Sequence, residues 1–414
     1  MADLIPPHGG LTEIVERFLP ADFDHAGLVR VRVSPGDLTT LDRIADGSLS
    51  PLAGPMTQEQ FDRVLEEESI IGVDGQRYAW TIPLALPVDE ETARRIKPGQ
   101  TVALVTTDDQ TVRGLLQVTD VYPFDKAKYL AKVYGTTRTD HPGADMVLAD
   151  PRDLLLGGQV QMTPPPRHPE YGDLILTPRQ TRVLFSQKGW QRVVAFQTRN
   201  PLHRAHEYAL VVGLERLTRA GYVAGAVLNP LVGETKGDDV DAATRMRTYR
   251  ALIENRAIGQ GDKDETLWQQ VGVDFNDRLL LLGLDIKMFY AGPNEAVMHA
   301  IYRQNYGFTD IIIGRKHADA PYHDGTDIWD GLAAQRKFDE LKGILLIQPV
   351  KVGFAAFFEE LGRVGLVEEY APKGYKQVSI SGRELREQLR RGELPDPRIM
   401  RPETARVLIE RMRA

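Results

Sequence analysis

The sequence contains no cysteine. This absence excludes disulfide bonds, thiolate zinc sites and cysteine nucleophiles together. An excess of positive charge is also missing, because 51 lysines and arginines stand against 58 aspartates and glutamates, for a formal net charge of -7. That balance argues against nucleic acid or an anionic membrane as a bulk electrostatic partner. Any site for an anion must therefore be local.

Long apolar runs are missing as well. The first residues, MADLIPPHGGLTEIVERF, have no basic segment followed by an apolar one, and no run elsewhere is long enough to span a bilayer. We therefore expect a cytoplasmic protein with no membrane partner. A chain of 414 residues is longer than one core usually grows, so two or three domains are expected.

The pattern of predicted secondary structure changes near residue 165. Residues 1–165 carry short β-type runs separated by Pro, Gly and Asp turns, which predicts a mostly β domain. In residues 166–342 strand-like and helix-like segments alternate, which predicts a parallel sheet with helices on both faces. Residues 343–414 predict a small α/β unit with a strand and a helix that begins at a Ser-Gly pair. The predicted fold class is α/β.

The stretch FQTRNPLHRAH (196–206) places four basic side chains around an Asn-Pro pair. An apolar strand ends at Phe196, Asn200 suits a helix N-cap, and Pro201 suits the first helical position. The cluster then lies at the carboxyl end of a parallel strand, where open α/β sheets bind ligands. It also lies at the amino end of a helix, where free N–H groups and the helix dipole favour an anion.

Two histidines of this stretch, His203 and His206, are three residues apart. On a helix they would share one face and could both point at the same anion. The alternative is an ordinary surface helix start with two incidental histidines, because a short motif match is weak on its own.

Polar loops also follow the later strands. They read NPLVGETKGDD (229–239), YAGPNEAVMHA (290–300) and IIIGRKHADAP (311–321). Each alone could be a solvated loop, but loops at successive strand ends of one sheet converge on a single crevice. The set therefore favours a site for an oxyanion or a polyphosphate.

These motifs resemble those of the ATP sulfurylase (sulfate adenylyltransferase) family, in its single-function form without a kinase domain. The family patterns are QTRNPxHRAHE at 197–207, VGxTKxDD at 232–239, YAGPxEAxxHAxxRxN at 290–305, IIGRxHA at 312–318 and ISGxxxRxxLxxGxxPxxxxxRPE at 380–403. The amino-terminal third fits through PPHGGL (6–11), LSPLAGPM (49–56) and YGTTRTDHPG (134–143). Nearly the whole chain is covered, in order.

The resemblance implies a PUA-like amino-terminal domain, a nucleotidylyltransferase-type parallel α/β domain and a small carboxyl-terminal α/β subdomain. It also implies a reaction in which sulfate attacks the α-phosphorus of ATP in line, giving adenosine 5′-phosphosulfate and pyrophosphate, or the reverse. Sulfate is already dianionic, so positioning and positive charge matter more than a general base. Mg²⁺ is expected to arrive on ATP, with no zinc and no protein metal site. The partners are ATP and sulfate, and the chain is expected to form a homo-oligomer without nucleic acid.

The resemblance also assigns roles to individual residues. Those expected at the reacting groups are Thr198, Arg199, Asn200, His203 and His206. Those expected to bind ATP are Gln197, Arg199, Asn200, Gly314, Arg315, Lys316 and His317. Those expected near sulfate are Gln197, Arg199 and Ala318. Lys236 and Arg245 are candidates for auxiliary anion contacts, although either could be an ordinary surface charge.

Four positions depart from the family pattern. Lys316 and Asp319 stand where relatives usually have Asp and Gly, Asn294 stands where they have Arg, and Arg383 stands where they have Thr. Two accounts fit: charges have exchanged places inside a working site, or the chain is a paralogue that adenylylates another oxyanion. A third reading is a catalytically weak nucleotide-binding or scaffold protein. RNA binding is the weaker form of that reading, because basic and aromatic residues are not interleaved in the amino-terminal domain.

Overall fold

The computed structural model describes residues 4–20, 22–233 and 240–413. Its amino-terminal part is built on a five-stranded sheet in the order β1-β5-β6-β7-β4, with a separate β2-β3 hairpin. The strands are β1 (Val29–Val33), β2 (Ser69–Ile71), β3 (Arg77–Ala79), β4 (Leu86–Val88), β5 (Thr101–Thr106), β6 (Val112–Pro123) and β7 (Leu154–Met162). The helices are α1 (Pro35–Ala45), α2 (Gln58–Glu67), α3 (Glu90–Ala93), α4 (Lys126–Val133) and α5 (Pro142–Ala149).

The middle of the chain forms a second sheet whose five strands are all parallel. Its strands are β8 (Arg192–Phe196), β9 (Ala224–Leu228), β10 (Leu279–Leu281), β11 (Asp310–Ile313) and β12 (Gln348–Lys351). Its helices are α6 (Pro178–Gln187), α7 (Arg204–Arg219), α8 (Ala242–Glu254), α9 (Glu265–Val271), α10 (Gly292–Tyr306) and α11 (Ala333–Lys337). Every residue of β9 is buried, as expected for a parallel strand covered by helices on both faces.

The strand order of this sheet is β10-β9-β8-β11-β12. The chain therefore adds strands on one side of β8 and then crosses over to the other side, with β11. The carboxyl ends of β8 and β11 form the topological switch point, which is where open α/β sheets bind ligands. The predicted strand within 343–350 forms as β12, and it pairs with β11 in this sheet.

The carboxyl-terminal part has a small antiparallel sheet in the order β14-β13-β15. Its elements are β13 (Ala355–Phe358), β14 (Arg363–Leu366), α12 (Val367–Tyr370), β15 (Gln377–Val378), α13 (Gly382–Arg390) and α14 (Pro402–Arg413). The predicted helix start at the Ser-Gly pair is confirmed, because Ser381 caps α13 in a reciprocal capping box with Glu384. No helix within the described ranges is long and apolar enough to cross a membrane.

Candidate active site

The loop between β8 and α7, residues 197–203, is fixed by hydrogen bonds to its backbone. The hydroxyl of Thr198 donates to the carbonyl oxygen of Asn200 at 3.0 Å, and the hydroxyl of Tyr249 donates to the same oxygen at 2.8 Å. The N–H of Leu231, which follows β9, donates to the carbonyl oxygen of Thr198 at 3.0 Å. These bonds tie the loop to its neighbours, so Thr198 shapes the loop from within.

The start of α7 differs from the prediction. Asn200 as N-cap and Pro201 as the first helical residue are wrong, because α7 begins at Arg204 and His203 is its N-cap. The backbone N–H of His206 faces Nδ1 of His203 at 3.4 Å. The two rings stack, with centroids 3.7 Å apart. The histidines therefore do lie together, but through a cap and a stack instead of one helical face.

Both imidazoles titrate below their ordinary range. Burial lowers the pKa of His203 to about 3, and the neighbouring His206 adds to this effect. Burial lowers the pKa of His206 as well, although part of that residue remains exposed. Both rings are therefore neutral near pH 7. Because Nδ1 of His203 faces an N–H donor, its ring proton belongs on Nε2, which is left free to donate to a ligand.

Two buried ion pairs anchor the first turn of α7. Arg401, in the RPE motif near the carboxyl terminus, contacts the carboxylate of Glu207 at 2.6 and 2.7 Å, and Gly259 donates its N–H to the same carboxylate at 2.6 Å. Arg204 makes a two-point contact with Asp262 at 2.6 and 2.9 Å. Arg204, one of the four basic side chains of FQTRNPLHRAH (196–206), therefore serves the fold through this ion pair.

The loop after β11, residues 314–321, has a constrained backbone. Lys316 and Ala318 both have left-handed conformations, with φ of 50° and 56°. Such backbone is costly for residues other than glycine and clusters at ligand sites. The loop is held by the N–H of Lys316, which donates to Gly331 at 2.9 Å, and by the carbonyl oxygen of Ala318, which accepts from Gly292 at 3.1 Å.

Two residues at the start of this loop face open space or solvent. A Cβ atom added to Gly314 would have no heavy atom within 4 Å. Arg315 is exposed, and its guanidinium lies 4.0 Å from the ring centroid of Phe354. Gly314 therefore leaves room at the carboxyl end of β11 for another molecule to approach the backbone.

Helix α10 contributes polar residues that the sequence analysis did not select. Glu295, His299 and Arg303 are each 1% exposed or less. Nδ1 of His299 lies 3.1 Å from Nε2 of His317 in the β11 loop. Arg303 donates to Asn229, at the carboxyl end of β9, at 2.9 Å. The signal was present, because three polar residues spaced by four in YAGPxEAxxHAxxRxN share one helix face.

Several buried polar atoms around the crevice have no hydrogen-bond partner among the described residues. They are Gln197 Oε1, Arg199 Nη1, Arg303 Nη2 and Asp319 Oδ1. An orphaned buried group costs about 1–3 kcal/mol, so such atoms are rare in folded proteins. Unsatisfied buried atoms occur elsewhere in the chain too, but those at the ends of β8 and β11 and on α10 surround one crevice, which makes it a candidate site for a polar ligand.

Arg199 lies between the two loops. Its guanidinium is 5.3 Å from the ring centroid of Tyr290. Burial is the main reason that the pKa of Glu295 rises and that of His317 falls, and the charge of Arg199 acts on both groups. Its charge also opposes the rise in the pKa of Asp319, which burial brings to about 6. Arg199 thus brings positive charge to the centre of the crevice.

Two of the four departures change the surroundings of the β11 loop. The ammonium group of Lys316 lies 2.6 Å from the carboxylate of Asp327. Asp319 is 9% exposed and lies close enough to Asp327 for the two charges to interact. The added base therefore has an acidic partner of its own, which agrees with charges having exchanged places.

The other two departures, Asn294 and Arg383, do not add charge to the β11 loop. The side-chain N–H of Asn294 donates to the carbonyl oxygen of Val133 at 2.8 Å, and the backbone carbonyl oxygen of Asn294 accepts from the hydroxyl of Thr81 at 2.6 Å. Asn294 therefore joins α10 to the amino-terminal domain. The side chain of Arg383 is 84% exposed and lies 3.3 Å from Glu387 on the same helix, so it belongs to the solvent face.

Only one of the two candidates for auxiliary anion contacts, Arg245, is among the described residues. Lys236 falls outside the described residues. Arg245 is 1% exposed and donates to the carbonyl oxygens of Val240 at 2.8 Å and Leu231 at 2.7 Å. It holds together the two ends of the segment that contains Lys236, and it is not a surface charge.

The amino-terminal domain supports the β11 loop directly. Nε2 of His141 lies 3.1 Å from the carbonyl oxygen of Ala320, and the hydroxyl of Tyr322 donates to Thr136 at 2.6 Å. The guanidinium of Arg138 lies 3.6 Å from the ring centroid of Tyr322. The motif YGTTRTDHPG therefore braces this loop, a role that the sequence did not reveal.

A parallel sheet with unsatisfied polar groups at its switch point is typical of open α/β proteins that bind ligands at the carboxyl ends of their strands. A family model described as ATP-sulfurylase matches residues 172–411, and one described as PUA-like domain matches residues 5–165. The chain belongs to the ATP-sulfurylase family, which confirms the resemblance and the predicted fold class.

Curated relatives match the chain over nearly its full length. One named sulfate adenylyltransferase, from Pyropia yezoensis, is 51% identical over 99% of this chain and 97% of its own. Another sulfate adenylyltransferase, from Synechococcus sp., is 37% identical over 99% of this chain and 97% of its own. A solved structure titled hexameric APS kinase from Thiobacillus denitrificans covers 98% of this chain and 68% of its own, with a TM-score of 0.71 at 22% identity. This last match concerns the fold alone.

Proposed function

We propose that the crevice between β8 and β11 binds ATP and sulfate and carries out the sulfate adenylyltransferase reaction, the nucleotidyltransferase activity that the family and the full-length relatives support for this chain. The observation that carries the site assignment is Nη1 of the half-buried Arg199, a buried atom that has no hydrogen-bond partner among the described residues. A buried donor on a cation favours an anion as its partner. Gln197, whose Oε1 is also unsatisfied, lies beside it in the same loop.

In this reaction a sulfate oxygen forms a bond to the α-phosphorus as the bond from that phosphorus to the bridging oxygen breaks. The electron pair leaves with pyrophosphate, so no proton has to be removed from sulfate. Arg199 offsets the repulsion between the two anions. His203 and His206, neutral before ligand binds, donate to the α-phosphoryl and leaving oxygens, where negative charge grows. The same groups serve the reverse reaction.

We assign the β11 loop to the nucleotide. Gly314 leaves space for close approach, and Arg315, Lys316 and His317 follow it directly. Ala318 ends the constrained turn and is the residue proposed nearest to sulfate. Thr198 and Asn200 serve by shaping the first loop, because their mutual hydrogen bonds fix its backbone.

Mg²⁺ is proposed to enter with ATP and to be held by phosphate oxygens and water. Within the described ranges no group of three or more histidines and carboxylates could hold a metal ion. We also propose a cytoplasmic homo-oligomer, following the hexameric assembly named for the structural neighbour. Light scattering on the purified chain tests the assembly.

The decisive assay measures pyrophosphate release from ATP, Mg²⁺ and sulfate, beside a parallel reaction with molybdate. Molybdate has the same tetrahedral shape and charge, and its unstable adenylyl product should give AMP. Release with both anions supports the assignment. Turnover with a different oxyanion alone would favour the redirected paralogue. No turnover and no thermal stabilisation by an ATP analogue would favour a scaffold.

Replacing His203 or His206 by Ala is expected to lower kcat by roughly ten- to a thousandfold, because each substitution removes one donor to developing charge. His203→Asn is the matched control, because asparagine keeps the N-cap acceptor and removes the Nε2 donor. It should retain the melting temperature and lose activity like His203→Ala. An effect confined to KM would contradict a transition-state role.

Lys316→Asp is expected to raise KM for ATP by roughly tenfold with a smaller effect on kcat, because a third carboxylate would join Asp319 and Asp327 beside a polyanion. Aspartate tolerates the left-handed backbone of this position, so strain is not the cause. Exchanging the charges, with Lys316→Asp and Asp327→Lys together, should recover most of the loss. A substantial increase in kcat for the single variant would instead favour the redirected or disabled paralogue.

A further inference from the structure

The contact between His299 and His317 joins two neutral imidazoles. Burial, with the charges of Arg303 and Arg199, holds the pKa of His299 well below its ordinary range. The pKa of His317 is lowered by burial and by the same neighbours. Each ring therefore carries one proton, and across 3.1 Å one nitrogen must donate and the other accept. The direction of this hydrogen bond decides which nitrogen of His317 remains free.

Glu295 settles that direction. Its Oε1 lies 3.4 Å from Nε2 of His299, one turn along α10. The backbone N–H groups of Phe289 and Ala291 donate to its two oxygens at 2.9 and 3.0 Å, an arrangement that suits an ionised carboxylate. At 3.4 Å this carboxylate attracts a proton on Nε2 of His299, although the pair lies outside hydrogen-bond geometry, whereas the other tautomer would set a lone pair against it. Nδ1 of His299 is then the acceptor.

We propose that Glu295 and His299 hold His317 in the tautomer that carries its proton on Nε2, so that Nδ1 of His317 accepts a hydrogen bond from the nucleoside of ATP. This extends the proposed function, since it requires ATP in the crevice. A lone pair suits a ribose hydroxyl or the adenine amino group, both of which donate. It does not suit a phosphate oxygen, which only accepts. His299 is thus a positioning residue that acts through His317.

Position 299 offers a matched pair of variants. Asn and Leu have nearly the same shape, but the amide oxygen of Asn can replace Nδ1 of His299 as the acceptor and Leu cannot. His299→Asn should therefore preserve the tautomer of His317, and His299→Leu should release it to a mixture. Thermal unfolding of both variants checks that the buried position still packs.

The first measurement is side-chain ¹⁵N NMR of the full chain with labelled histidine and no nucleotide. His317→Gln identifies the His317 signals by their loss. The spectra are taken at about pH 8.5, where Glu295 is ionised because burial raises its pKa to about 7. The expected result is an Nε2-protonated His317 in the wild type and in His299→Asn, and mixed tautomers in His299→Leu. An Nδ1-protonated His317 in the wild type, or the same tautomer in all three, would overturn the proposal.

The second measurement is steady-state kinetics. His299→Leu should raise KM for ATP about tenfold, equivalent to ~1.4 kcal/mol, while His299→Asn and the KM for sulfate change little. A shifted tautomer with unchanged KM for ATP would overturn the assignment to the nucleoside. The NMR result needs no ATP, so the two proposals can fail separately. The expected tautomers in a chain that does not turn over would support the positioning of His317 by Glu295 and His299 but contradict the proposed function.

Discussion

Arg199→Ala is expected to abolish turnover without unfolding the protein. The half-buried Arg199 lies between the loops after β8 and β11, and its buried Nη1 has no hydrogen-bond partner among the described residues. Removing one preorganised donor to developing charge costs roughly a hundred- to a thousandfold in kcat. Arg199 also offsets the repulsion between sulfate and ATP, so its loss should exceed that range. Pyrophosphate release measures the effect.

The free protein should keep its stability in this variant. Arg199 contacts the ring of Tyr290 at 5.3 Å, but its buried Nη1 is left without a hydrogen bond, which is a cost to the fold. The melting temperature of Arg199→Ala should therefore stay level or rise. Arg199→Lys is the control, because lysine keeps the positive charge but lacks the planar guanidinium with its fixed N–H donors. This variant should recover only part of the activity. Loss of activity together with unfolding would mark Arg199 as structural.

The sequence predicted the elements that depend on local patterns. The strand expected at 193–196 forms as β8, and alternating segments gave a parallel sheet whose switch point is at the predicted crevice. The start of α7 was predicted wrongly because the Asn-Pro pair lies in the loop before the helix and does not begin it. Thr198 and Tyr249 bind the carbonyl oxygen of Asn200 and keep the chain irregular until His203. The second of these contacts joins residues far apart in sequence.

The candidate site was predicted in outline only. The motifs identified the loops, but they did not show that Arg204 pairs with Asp262 or that Arg245 is buried against backbone carbonyls. Neither pairing has a local signal, because each partner comes from a different element. The partner of Lys316, Asp327, is equally invisible in the motif itself. The roles of the individual site residues remain predictions.

Arg401→Ala is expected to destabilise the protein by about 3–5 kcal/mol, because it leaves the buried carboxylate of Glu207 without its cation. The side chain of Glu207 is 2% exposed, and Arg401 contacts it at 2.6 Å. Chemical denaturation measures the loss. Arg391→Ala is the matched control, since it removes an arginine of the same carboxyl-terminal region whose pair with Glu393 is more than half exposed, and it should change stability little.

The loss in Arg401→Ala should depend on pH in a defined direction. Burial already raises the pKa of Glu207, and Arg401 opposes that rise. Without Arg401 the folded-state pKa rises further above the unfolded value, so the variant gains stability by binding a proton at acid pH and loses it as the pH rises through that pKa. Its deficit should therefore be smaller near pH 5 than near pH 8. Adding Glu207→Gln should remove this pH dependence and recover part of the stability, and a deficit that is equal at both pH values would refute the assignment of the loss to Glu207.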